Sequence, residues 1–162
     1  MGFVMQAVKK DGESNNHQVV SWFPKLIFAL SLLGLAISAY LSIAHLSETA
    51  ILACPENSTI NCAKVTTSPQ SILFGVPVAY LGLGFFLAYS VLNWPRNFFR
   101  RNFSIARLGM AVVSLAMVLW LVYAELLIIN AICLWCSAVH LITLSIFLLV
   151  VYSTIEYKLL KQ

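Results

Sequence analysis

Long stretches without charged residues dominate the pattern of the chain. The uncharged stretches are residues 26–47, 65–95, 108–123 and 126–155. A membrane-spanning helix needs roughly 20 apolar residues to cross about 30 Å of hydrocarbon. The pattern therefore predicts an all-α membrane protein, with a bundle of four transmembrane helices at about residues 26–46, 76–94, 108–129 and 132–153.

Helix-breaking residues determine two of these boundaries. Pro69, Gly75 and Pro77 interrupt the first part of the second uncharged stretch, so the second helix is predicted to begin near residue 76. The last stretch is too long for one helix after Glu125, and Asn130 offers a break within it. Residues 47–75 then form the longest loop between predicted helices.

The composition excludes most other classes of protein. Of the 162 residues, 60% are hydrophobic and only 10% are charged. Soluble domains are closer to 45–50% apolar and about 25% charged, and disordered chains are less hydrophobic still. The net charge of +4 is divided among several clusters, which form no basic stripe. The expected surroundings are therefore a lipid bilayer, and no nucleic-acid partner is expected.

The basic residues predict the orientation in the membrane. Nine of the ten fall in the N-terminal tail, the loop between the second and third helices and the C-terminal tail. These nine are Lys9, Lys10, Lys25, Arg96, Arg100, Arg101, Arg107, Lys158 and Lys161. Basic residues stay on the cytoplasmic side of an inner (plasma) membrane, so residues 1–24 and 154–162 are predicted cytoplasmic tails. Loop 47–75 is then on the outer, periplasmic face.

The four cysteines form two pairs on that outer face. Cys54 and Cys62 lie in the loop, and Cys133 and Cys136 open the last predicted helix. A C-x-x-C pair in the first turn of a helix can form and break a disulfide easily, and the helix N-terminus favours the thiolate of Cys133. Two such pairs in an oxidising compartment predict a relay by thiol–disulfide exchange.

Two other uses of four cysteines remain open at this point. A structural zinc site usually has two short C-x₂-C knuckles, whereas one spacing here is seven residues. Two static disulfides are the stronger alternative. A C-x-x-C disulfide closes so short a loop that it stabilises the fold only slightly through chain entropy. This favours a redox-active disulfide over a structural one.

The order of these residues resembles the vitamin K epoxide reductase family in its compact bacterial form. The motifs are Cys54-x₇-Cys62, Ser68, Phe74-Gly75-Val76-Pro77 and Cys133-x-x-Cys136, within about residues 25–153. The resemblance implies one redox domain over 25–153, in which four helices surround a quinone (ubiquinone or menaquinone) and the outer loop caps the site. It also implies a soluble thioredoxin-like partner, similar to DsbA, as a separate protein on the outer side.

The resemblance also implies roles for the cysteines. Cys54 resembles the loop cysteine that exchanges with the partner, and Cys62 resembles the one that bridges to Cys133. Cys136 resembles the cysteine that meets the quinone.

Four further residues are implied to contact the quinone or lie beside the cysteines. Ser68 matches the loop serine, and it also suits an N-cap for the segment that begins at Pro69. Ser71 and His140 fall where animal members have a quinone-binding Asn and a Tyr, and Phe74 begins the motif that leads into the second helix. A hydrogen bond to a neighbouring helix is the alternative for His140.

The sequence thus predicts a quinone-linked thiol oxidase that reoxidises a thioredoxin-like partner and supports disulfide formation. A quinone or vitamin K epoxide reductase and a membrane scaffold with structural disulfides are the alternatives. A DsbB-type oxidase is disfavoured, because its C-x-x-C pair precedes the spaced pair. Glu125 and His45 are expected at the outer interface, and the alternative for Glu125 is that it tunes a cysteine.

Overall fold

The computed structural model describes the backbone of residues 2–47, 53–55, 57–94 and 101–159. Side chains are described for residues 22–47, 53–55, 57–94 and 103–155. The helices are α1 (Gly2–Leu46), α2 (Cys62–Thr66), α3 (Val78–Leu92), α4 (Arg101–Tyr123) and α5 (Leu134–Leu159). A 3₁₀ turn (Pro69–Ser71), a hairpin of strands β1 (Ile72–Leu73) and β2 (Val76–Pro77) and a π-helical turn (Ala124–Ile129) complete the described elements.

Three of the described helices are long and apolar enough to cross a membrane. These segments are Trp22–Leu46, Phe103–Ile129 and Leu134–Ile155. The apolar helix α3 has 15 residues, about 22 Å at 1.5 Å per residue. It is shorter than the predicted span of 76–94, because Val76 and Pro77 belong to β2 and the helix ends at Leu92. Among the described residues there are thus three membrane-length helices and one shorter apolar helix.

Helix α1 begins much earlier than the predicted span. The helix starts at Gly2 and continues through Pro24, although residues 1–24 were expected to be a polar tail. Only the part from Trp22 onwards is long and apolar enough to span. Hydropathy indicated where the apolar segment starts, but helical backbone needs no apolar face, so the pattern missed the N-terminal extension.

The bundle is organised around α1 and α5. Helix α1 packs along α3 and α5, and α4 packs mainly against α5. The core between them includes Ile27, Phe86, Tyr89 and Ile146, all almost fully buried. Gly34 allows the close approach of α1 and α3, since a Cβ at this position would overlap the ring of Phe86.

The segment between α1 and α3, termed here the cap segment (residues 53–77), carries the short elements. Asn61 is the N-cap of α2, and its side-chain oxygen accepts the backbone N–H of Lys64 at 2.8 Å. The hairpin turns through Phe74 and Gly75, which have φ values of 52° and 80°. Residue Ile60 forms a parallel β-bridge with Ile132, so the cap segment is joined to the start of α5.

The connection between α4 and α5 contains the break expected at Asn130. The π-helical turn ends at Ile129, and Asn130 has left-handed backbone with a φ of 53°. The carbonyl oxygen of Glu125 accepts the N–H of Ala131 at 3.1 Å, which closes the turn. This connection positions Cys133 directly before α5.

Candidate redox site

The structure brings the four cysteines into one cluster. Cys54 and Cys62 form a disulfide with 6.2 Å between their Cα atoms. Cys133 and Cys136 are free thiols. Cys62 and Cys133 are each 0% exposed and belong to the same buried cluster, against which Cys54 and Cys136 pack. A disulfide and a pair of thiols therefore lie side by side, with one member of each pair, Cys62 and Cys133, buried from solvent.

Backbone hydrogen bonds hold the two pairs together. The N–H of Asn61 donates to the carbonyl oxygen of Ile132 at 3.1 Å. The N–H of Ile132 donates to the carbonyl oxygen of Thr59 at 2.9 Å. Cys62 and Cys133 each follow one residue after these bonded positions. Main-chain pairing therefore holds Cys62 near Cys133, since the disulfide joins Cys62 only to Cys54.

Cys133 is the N-cap of α5 rather than a residue of its first turn. Its carbonyl oxygen accepts the N–H of Ser137 at 2.9 Å, and its Sγ accepts the backbone N–H of Cys136 at 3.3 Å. The hydrogen bond from the Cys136 thiol lowers the pKa of Cys133 below its usual value, against the opposing effects of burial and of the Glu125 charge. Cys133 is thus favoured as the thiolate of its pair.

A second contact fixes the cap segment on the other side of the disulfide. The indole N–H of Trp135 donates to the carbonyl oxygen of Ala53 at 3.1 Å. The N–H of Ala53 donates to the hydroxyl of Tyr40 at 3.0 Å. The rings of Tyr40 and Trp135 also pack together, with centroids 4.9 Å apart. Both polar groups of the residue before Cys54 are therefore held by aromatic side chains.

A cavity of about 270 Å³ lies beside the cysteine cluster. Its walls are mostly apolar and come from α1, the cap segment, α3, α4 and α5. The polar or ionisable side chains on its walls include His45, Ser68, Ser71, Glu125, Cys136 and His140. Of the free thiols only Cys136 is part of this wall, because it lies one helical turn beyond Cys133.

The structure brings three of the four expected quinone contacts to this cavity. Ser68 is buried, and its hydroxyl donates to the Val65 carbonyl at 2.8 Å instead of capping the 3₁₀ turn. Ser71 donates to the Ser68 carbonyl at 2.6 Å. His140 is buried on α5. Phe74 is different, because its ring is 96% exposed at the hairpin turn and does not line the cavity.

Glu125 is a residue whose position sequence reasoning missed. It was expected at the membrane interface, yet it is only 6% exposed and lines the cavity. The backbone N–H of Cys133 points to its carboxylate. The signal in the sequence was a single acid between two long uncharged stretches, but such a pattern does not indicate which way the side chain faces. His45 likewise lines the cavity, with its ring 6.1 Å from that of Tyr80.

The arrangement is that of a membrane thiol–disulfide oxidoreductase. The family model described as the vitamin K epoxide reductase family matches residues 25–151. Because this match covers most of the chain, the protein belongs to the vitamin K epoxide reductase family, whose members are membrane oxidoreductases that act on disulfides. No curated protein matches the chain. The family implies quinone-linked disulfide redox chemistry for this site.

Proposed function

We propose that the protein is a quinone-linked thiol oxidase that reoxidises a thioredoxin-like partner and so supports disulfide formation. The observation that carries this proposal is the cluster itself. A disulfide in the cap segment lies against two thiols, and one of those thiols, Cys136, lies on the wall of an apolar cavity. Such a cluster can pass electrons from an outside dithiol to a ligand in the cavity.

The proposed membrane layout has four crossings, with α3 as the second. A helix of 15 residues is short for a bilayer, and local thinning or the flanking hairpin accommodates the difference. Both termini lie in the cytoplasm, since nine of the ten basic residues belong to that side. The cysteine cluster is then at the periplasmic face, where a soluble DsbA-like protein reaches it.

The first step exchanges electrons with the partner. Cys54 is partly exposed, whereas Cys62 is fully buried, so a partner thiolate attacks Cys54 Sγ. The Cys54–Cys62 bond breaks, a mixed disulfide forms, and Cys62 leaves as a thiolate. The second partner thiol then displaces Cys54, so that the partner leaves oxidised and both cap-segment cysteines are reduced.

The second step moves electrons between the pairs. The Cys62 thiolate attacks Cys133 Sγ in a Cys133–Cys136 disulfide, and Cys136 is released as a thiol or thiolate. Cys54 then displaces Cys133, which restores the Cys54–Cys62 disulfide. The products, a disulfide in the cap segment and two thiols at α5, are the state that the structure has.

The cavity residues fit a quinone. A bound quinone supplies an acceptor for the two electrons and two protons that Cys133 and Cys136 lose when they form a disulfide. The 270 Å³ volume is just below the usual ligand-pocket range of about 300–1,000 Å³, which suits a ring rather than a whole isoprenoid tail. His140 would donate to one ring carbonyl, and Ser71 would donate to the other after its hydroxyl turns away from the Ser68 carbonyl that it bonds at 2.6 Å. Ser68 lies beside Ser71 on the cavity wall, and contact with Phe74 stays a prediction.

The test is turnover with a dithiol and either a short-chain ubiquinone or menaquinone. The protein purified in lipid nanodiscs is expected to oxidise the dithiol only when quinone is present. Cys136→Ala should abolish this activity, whereas Ser145→Ala, at an exposed position on the same helix, should retain it. Undiminished quinone consumption by Cys136→Ala would contradict the proposal, and cysteines that stay fully oxidised in cells would favour a static scaffold.

A further inference from the structure

One buried acid, Glu125, lies beside Cys133 and Cys136 and has no role in the proposed thiol–disulfide exchanges. Glu125 lies in the π-helical turn at the end of α4 and is only 6% exposed. Its main chain is fixed, since its carbonyl oxygen accepts the N–H of Ala131. Its side chain lines the same cavity as Cys136 and His140. A carboxylate is costly to bury, and buried ionisable side chains in membrane proteins are usually paired or functional.

The carboxylate is directed at the reacting cysteines. The backbone N–H of Cys133 points to it. It is also close enough to act electrostatically on both Cys133 and Cys136. Glu125 is therefore an ionisable side chain of the described cavity wall that lies next to the thiol pair.

The charges at this position are interdependent. The hydrogen bond from Cys136 favours a thiolate on Cys133, and the charge of Glu125 opposes it. Two neighbouring negative charges repel strongly in a site of low dielectric, so the site holds one such charge more readily than two. When a thiol loses its proton, the adjacent carboxylate is the natural acceptor of that proton. When the thiolate is converted into a disulfide, the repulsion between the two negative charges ends. The carboxylic acid can then release its proton.

We infer that Glu125 is the proton carrier between the cysteine pair and the cavity. This inference rests on the proposed function, which supplies the electron acceptor. Formation of the Cys133–Cys136 disulfide from two thiols breaks two S–H bonds, forms one S–S bond and sets free two electrons and two protons. The carboxylate of Glu125 accepts these protons in turn and releases each into the cavity, where a bound quinone is reduced to quinol.

The kinetic test uses Glu125→Gln. The amide oxygen can still accept a hydrogen bond from the Cys133 N–H, but the amide group cannot take up and release a proton near neutral pH. We expect Glu125→Gln to lower the kcat for quinone reduction by about 100-fold, the scale of a lost general acid–base. The KM for quinone should stay near that of the wild type. Reduction of the Cys54–Cys62 disulfide by dithiothreitol should be unchanged, since that step needs no proton from Glu125. Glu125→Asp should restore part of the kcat.

Infrared difference spectroscopy provides a readout that needs neither quinone nor turnover. The wild-type protein is compared after reduction by dithiothreitol and after oxidation by diamide. We expect a carboxylic-acid carbonyl band that appears in the reduced state, shifts on ¹³C-labelling of glutamate and is absent in Glu125→Gln. The variant assigns the band to Glu125, whereas the absence of the band from the labelled wild type is a result that does not depend on whether the variant folds.

The outcomes separate the two proposals. Wild-type protein that oxidises a dithiol with quinone, together with a Glu125→Gln variant of equal kcat, overturns the role of Glu125 alone. The absence of a redox-dependent glutamate band in the labelled wild type overturns it as well. Wild-type protein that passes no electrons to quinone overturns the proposed function, and the inference about Glu125 with it. Ser90→Ala, a buried polar position bonded to the Phe86 carbonyl, serves as the matched folding control.

Discussion

The indole N–H of Trp135 donates to the carbonyl oxygen of Ala53 at 3.1 Å, across a separation of 82 positions in the chain. Trp135 is one of the two residues inside the C-x-x-C motif, and Ala53 directly precedes Cys54. The bond therefore joins the two cysteine pairs through their neighbours. We therefore expect Trp135 to act as a positioning residue for the proposed transfer between the pairs.

We expect Trp135→Phe to slow exchange between the pairs. The substitution keeps a ring for Tyr40 but removes the donor, and one hydrogen bond is worth about 1 kcal/mol, or about a fivefold change. The measurement is the rate at which added dithiol reduces Cys133–Cys136, followed by rapid alkylation and mass spectrometry. Trp120→Phe, at an exposed ring stacked on Tyr123, is the control. Equal rates for Trp135→Phe and the wild type would contradict a positioning role.

We expect the loss of Cys136 to raise the pKa of Cys133. The Cys136 thiol is the main cause that lowers this pKa, so its removal should move thiolate formation to higher pH. Thiolate absorbance against pH measures the change, in a background with Cys54 and Cys62 replaced by Ala. In Cys136→Ala the titration midpoint should move upward, whereas Ser145→Ala should leave it in place. A midpoint that stays or falls in Cys136→Ala would show that another group stabilises the thiolate.

We expect Gly34→Ala to destabilise the bundle by about 1–3 kcal/mol, the usual cost of overpacking. The added methyl group would overlap the Phe86 ring, which is fully enclosed, so α1 and α3 must separate. Gly84→Ala is the matched control on α3, because nothing lies within 4 Å of a Cβ there. It should be neutral or slightly stabilising, since Ala is the better helix former. Thermal unfolding in detergent compares both variants, and equal midpoints would exclude a tight contact at Gly34.

We expect His140→Leu to weaken quinone binding. The substitution keeps an apolar wall but removes the ring N–H, so the KM for a short-chain ubiquinone should rise about fivefold, as for one hydrogen bond. Dithiothreitol should still reduce the Cys54–Cys62 disulfide at the wild-type rate. Phe74→Ala provides a contrast, because this ring lies outside the cavity and should leave the KM unchanged. An increased KM in Phe74→Ala would instead show that the hairpin contributes to quinone binding.

Much of the fold could be predicted from charge alone. Uncharged stretches indicated the apolar segments, since a bilayer excludes Asp, Glu, Lys and Arg from most positions. The short helix α3 could not be predicted in length, because the backbone before it forms a hairpin whose register depends on φ values above zero at Phe74 and Gly75. The helical extension of α1 before Trp22 lies outside the apolar segment that is able to span a membrane, so hydropathy did not predict it.

The site was predictable where it depends on the spacing of residues along the chain. It was not predictable where it depends on the direction in which a side chain leaves the helix or loop. Cysteine order and helix count indicated that the two pairs meet. The inward direction of Glu125 arises from the π-helical turn, in which the angle between successive residues departs from that of an α-helix. The exposure of Phe74 and the backward hydrogen bond of Ser68 are likewise set by local backbone angles, which a residue pattern does not specify.

The β-bridge between Ile60 and Ile132 has a mechanical consequence. Transmembrane helices tilt when the thickness of the bilayer changes. Because the bridge attaches the cap segment to Ile132, two residues before α5, we expect both cysteine pairs to move together when that helix tilts. We therefore expect the distance between the two cysteine pairs, and with it the proposed transfer rate between them, to be equal in thin and thick membranes.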